Sequence, residues 1–146
     1  MNANDAQLIE VLTCQHGSTI EDNAPNAPAP GPGGGVASFD LVIEGNAGNV
    51  IGGSGGPYTL TATAIDLTTM TPAAPLSVGP VTQAFNPTFW KPNGLGPNND
   101  FDTQQSFTIT VPPSTYTGHV LLYVASLVSV NDQVVSILTS EPFTLV

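Results

Sequence analysis

Apolar and polar side chains alternate with a period of two along much of the chain, the spacing of strands with one buried face. In residues 36–45, Ala37, Phe39, Leu41 and Ile43 fall on one side and Ser38, Asp40 and Glu44 on the other. Residues 57–66 repeat the pattern, with Tyr58, Leu60, Ala62 and Ala64 opposite a row of Thr59, Thr61 and Thr63. Threonine favours strands and suits a solvated sheet face. Residues 105–111 set Phe107, Ile109 and Val111 against Ser106, Thr108 and Thr110. A short strand is expected at 7–13. A weaker one is expected at 76–85, where Pro80 lacks a ladder donor and so belongs at an edge. Residues 118–130 are the most apolar run and predict a central strand buried on both faces over part of its length. The turn Asn131-Asp132-Gln133 then leads into a hairpin over 134–146.

Between these runs the chain is punctuated. Fifteen glycines and fourteen prolines leave few windows for three helical turns. Residues 23–35, with prolines at 25, 28, 30 and 32, predict an extended arm or crossover loop ending in a glycine hinge. Residues 45–56 form a glycine-rich loop, and 86–103 is the longest irregular segment. The expected architecture is one all-β domain over 1–146, a two-sheet antiparallel sandwich of roughly seven to nine strands. Its predicted core is Phe39, Leu41, Ile43, Leu60, Phe107, Ile109, Val120, Leu122, Val124 and Ile137.

The segment Pro112-Pro113-Ser114-Thr115-Tyr116-Thr117-Gly118 places a tyrosine just before the central strand of the C-terminal hairpin. This resembles the tyrosine corner of immunoglobulin-like sandwiches, over about 40 residues. The resemblance implies an immunoglobulin-like fold and nothing about function. The disulfide of that family is absent, since Cys14 is the only cysteine. Packing alone, or a bridge between copies, is expected to hold the fold.

Composition removes whole classes of function. Lys91 is the single basic side chain among eleven carboxylates, and the net charge is −10. Nucleic-acid binding needs several cations to displace counterions. An anionic membrane surface needs a basic cluster. Neither is available, and no stretch approaches the roughly 20 apolar residues of a membrane span. No signal peptide is recognised at the start of the chain, and an extracellular or virion-surface setting is expected. Charged residues make up 8% of the sequence, against about 25% ordinarily. Such a surface tolerates close packing against other copies, while the net charge opposes it at long range.

Candidate chemistry is sparse. His16 and His119 are the only histidines, and Cys14 lies two residues from His16. No acid or helix terminus in the neighbouring sequence activates that pair. No hydrolase, zinc-protease or phosphate-loop motif occurs, so the chain is read as non-enzymatic. Asn98, Asp100 and Asp102 space oxygen ligands as the opening of a calcium loop does. Thr103 and Ile109 then break the EF-hand pattern, leaving an irregular calcium site or an ordinary Asx-rich turn. Next to it, Phe89, Trp90 and Asn93 combine aromatic rings with an amide, as sugar sites do. The alternative is that Phe89 and Trp90 plug the open end of the sandwich.

Two functions follow as expectations. The first is a structural or assembly protein: a virion decoration or tail component, or a self-assembling surface-filament subunit, partnered by copies of itself or another structural protein. The second is a carbohydrate-binding module or lectin using the 86–103 loop, with calcium as its candidate cofactor and a glycan as partner.

Overall fold

The computed structural model describes residues 4–26, 37–94, 99–113, 115–129 and 135–146. The strands are β1 (Ala6–Gln15), β2 (Ser38–Ala47), β3 (Gly56–Asp66), β4 (Thr71–Pro72), β5 (Val78–Phe85), β6 (Lys91–Pro92), β7 (Phe101–Thr110), β8 (Val120–Ser129), β9 (Val135–Thr139) and β10 (Phe143–Thr144). One helical turn, α1 (Ile51–Ser54), and a 3-10 turn at Ala74–Leu76 interrupt them.

Every strand pair is antiparallel. Four strands form one sheet in the order β1-β2-β7-β6. Six form the other: β8 lies between β3 and the collinear β9 and β10, and β3 lies between β8 and the collinear β5 and β4. Taking the seven longer strands in chain order, one sheet is first-second-fifth and the other seventh-sixth-third-fourth. That is the strand order of an immunoglobulin-like Greek key whose fourth strand has joined the sheet of the third. Tyr116 packs against the core, with its ring edge-on to His119.

Alternation set the inward faces of three strands correctly. Phe39, Leu41 and Ile43 of β2, Leu60 of β3 and Ile109 of β7 are buried, and Phe107 is half-buried against them. Strand β7 begins at Phe101, before the predicted 105. The inward positions of its first half carry Thr103 and Gln105, whose polarity hides the alternation.

The expected phase of the C-terminal hairpin is corrected. Leu121, Tyr123, Ala125 and Leu127 line the core, whereas Leu122 and Val124 are half-buried and Val120 is 39% exposed. Strand β8 is apolar on both faces, so its sequence carries no phase. Register supplies it: Ser126 pairs with Ile137 on the outward side, leaving Ile137 65% exposed. The strand covered on both faces is instead β2, where Val42 joins Leu12 and Cys14 in a small second buried cluster.

Two aromatic groups fill the space between the sheets. Tyr58, Phe85 and Trp90 pack together near the β6 end. Phe143 contacts both Phe39 and Tyr123, stacking on the latter at 5.6 Å. The buried Tyr123 hydroxyl donates to the Leu76 carbonyl at 2.8 Å, which satisfies the polar end of the ring. Gly45 makes room for Trp90: a Cβ there would lie 2.9 Å from the Gln7 carbonyl oxygen and 3.2 Å from the indole.

Candidate functional site

Strand register gives the two outward sheet faces different charge. On the outward face of the four-stranded sheet stand Glu10 of β1, Asp40 and Glu44 of β2 and Asp102 of β7, with Lys91 of β6 opposite Asp102. Glu10 and Glu44 sit directly across from each other, an arrangement that disfavours bringing further anions to this face. Gln104 Nε2 donates to Glu44 Oε1 at 2.6 Å.

The outward face of the six-stranded sheet is different in kind. From β9 it presents Val135, Ile137 and Thr139; from β8, Val120, Leu122, Val124, Ser126 and Val128. Strand β3 adds Thr59, Thr61, Thr63 and Ile65, and β5 adds Thr82 and Ala84. None of these side chains ionises. Asp66 and Glu141 lie at or beyond strand ends of this sheet. The result is an ion-free surface, mostly of valine, leucine, isoleucine and threonine.

The residues proposed for sugar binding separate. Trp90 is fully buried and donates from Nε1 to the Tyr58 hydroxyl at 3.2 Å. Its ring therefore offers no face to a ligand. Phe89 packs partly against the core, and its carbonyl accepts from Thr103 Oγ1 at 2.7 Å. Asn93 is exposed and closes the β6–β7 hairpin, donating from its amide N to the Asp100 carbonyl at 3.0 Å and from Nδ2 to Asp102 Oδ1 at 3.3 Å. Phe89 and Lys91 do line a cleft of about 520 Å³ with Glu44, Asp102, Gln104 and Gln105.

Of the candidate calcium ligands, Asp100 precedes β7 and Asp102 lies within it, while Asn98 lies outside the described residues. Among the described residues no group of three or more His, Cys, Asp or Glu side chains is placed to hold a metal ion. The Pro/Gly segment at 27–35 also lies outside them. The first residues of the predicted 23–35 arm, 23–26, run against the domain: the Asn23 and Pro25 carbonyls accept from Thr144 and Val146, and Asn26 exchanges two hydrogen bonds with Gln15.

Both histidines are spent on buried carboxylates. His16 Nδ1 lies 3.0 Å from Asp40 Oδ1, and the Gly17 amide donates to Asp40 Oδ2 at 2.7 Å. His119 Nδ1 lies 2.7 Å from Asp66 Oδ2, while the Thr68 and Thr69 amides donate to Asp66 Oδ1. Burial opposes ionisation of each carboxyl. The hydrogen bonds outweigh it and hold both below the ordinary carboxylate value. Each pair ties a loop to a strand. Cys14 is fully buried. Burial, then the nearby Asp40, Glu21, Asp22 and Glu10, pushes its thiol up to about 11, so no thiolate is available at neutral pH.

Across the open side between β5 and β7 runs a polar chain that sequence reasoning missed. The Tyr58 hydroxyl donates to Gln83 at 2.6 Å, and Gln83 donates to Gln105 at 2.7 Å. The two glutamines and the tyrosine lie far apart in sequence, and only the folded register joins them. Among the described residues no helix is long and apolar enough to cross a membrane. No protein-family model, curated protein or solved structure matches this chain.

Proposed function

We propose that this chain is a non-enzymatic structural or assembly protein, a virion decoration or tail component or the subunit of a self-assembling surface filament, acting outside the cell or on a virion. The observation that carries this reading is the unequal charge of the two outward faces. Glu10, Asp40, Glu44 and Asp102 stand on the outward side of the four-stranded sheet, whereas the strands of the six-stranded sheet present an ion-free surface of mainly aliphatic and threonine side chains. Scattered apolar side chains are ordinary on a monomer, but a contiguous apolar patch marks an interaction site. Chemistry is poorly supported: the thiol is buried and protonated, and each histidine is engaged by an aspartate that anchors a loop. The test is the mass of the protein in solution as concentration rises. Growth beyond the monomer is expected; a monomer at every concentration, with no protein partner in its native source, would reject the reading.

A second reading has one observation behind it. The 520 Å³ cleft beside Phe89 joins an aromatic residue to two carboxylates, two glutamines and an ammonium, a set suited to sugar hydroxyls, with calcium as its candidate cofactor. Retention on a glycan array, reversed by a chelator if calcium takes part, would move this reading ahead.

A further inference from the structure

Resting on the assembly reading, we propose that the partner of the ion-free face is the same face of a second copy, related by a two-fold axis. The exposed anchors are Ile137, 65% accessible, Val135, 59%, and Val120, 39%. They border the half-buried row Leu122, Val124 and Val128 on β8.

Electrostatics selects the occupant. A charged partner of either sign finds no counter-charge on these strands. A copy docking its acidic sheet here would strip water from Glu10, Glu44 and Asp102 with nothing to replace it. Acidic face on acidic face would set like charges about 10 Å apart, close to one screening length in physiological salt. Stacking the two ion-free faces instead leaves the acidic faces outermost, separated by three intersheet spacings or about 30 Å. At several screening lengths, the repulsion between those two acidic faces is largely removed.

The area is adequate. Four strand positions about 4.8 Å apart and about 33 Å long give a face of about 600 Å² per copy. A standard interface uses about 800 Å² per partner. The expected dimer is therefore reversible, with the two copies contributing identical residues.

The experiment is sedimentation of the full chain from micromolar to millimolar concentration, for the natural sequence, Ile137→Glu and Ile9→Glu. Both variants add one negative charge at an exposed aliphatic position, but Ile9 lies on the charged sheet. The proposal expects a dimer for the natural chain and for Ile9→Glu, and at least a tenfold weaker dimer for Ile137→Glu. If the natural chain associates and Ile137→Glu associates equally well, this face is not the interface, and the assembly reading survives through another surface such as the β7 edge. A natural chain that remains monomeric overturns self-pairing outright. Should Ile137→Glu lose its strand spectrum, Ile137→Thr keeps the β-branch while trimming the anchor, and the same weakening is expected of it.

Discussion

At Asp40 and Asp66, burial and hydrogen bonding pull in opposite directions, and hydrogen bonding prevails. Both carboxyls titrate lower in the folded state than in the unfolded one. Their stabilisation is therefore complete above the ordinary carboxylate value of 3.8 and is lost as pH falls through the folded values. Unfolding followed against pH is expected to steepen on the acid side below about pH 4, and Asp40→Asn should flatten that dependence. Cys14 gives a second prediction at this scale. With the thiol buried and held up to about 11, a thiol reagent should leave the native protein unmodified and react fully in denaturant; rapid native labelling would contradict the placement of β1. The intermolecular bridge anticipated for this cysteine has no exposed sulfur to start from. Side-chain burial of this kind was partly legible in the sequence. Phe39, Leu41 and Leu60 declared themselves by alternation, whereas Trp90 could be read as a plug or as a ligand platform. Its burial depends on Gly45, a residue from another strand that no local pattern connects to it.

The strands differ in how far local sequence determines them. Truncating Leu60 to alanine should cost about 2–5 kcal/mol, because the site is enclosed by both sheets. Ile137→Ala should cost within about 0.5 kcal/mol, because its side chain faces outward. Equal losses at both, measured by denaturant unfolding, would reverse the inferred phase of the C-terminal hairpin. That phase was illegible: β8 is apolar on both sides, and only its pairing with β3 and β9 decides which side turns inward. Gly45→Ala is expected to destabilise by about 1–3 kcal/mol, since the added methyl meets a carbonyl that the β1–β2 ladder holds in place. The N-terminal strand tests the domain boundary. Strand β1 pairs with β2 along nearly its whole length and supplies Ala6, Leu8 and Val11 to the core. Deleting residues 1–35 should therefore unfold the domain. A folded remnant with an unchanged melting transition would make β1 an appendage.

At the scale of the whole molecule, the two outward sheet faces differ in charge. The sequence announces few charges, a net value of −10 and a row of threonines in 57–66. It does not reveal that the threonine row, the second apolar side of β8 and the outward side of β9 become neighbours, because which strands share a sheet is settled by the Greek-key crossover. The all-β sandwich could be read from periodicity; the ion-free face could not. An assembly built on that face joins surfaces that carry no ions, against a repulsion that comes from elsewhere on the chain. Added salt screens that repulsion and, if anything, favours apolar contact. The most direct measurement is thus the association constant of the full chain at rising ionic strength. The account predicts association that strengthens as salt is added. Association that weakens with salt would show that charged groups hold the copies together, and would contradict it.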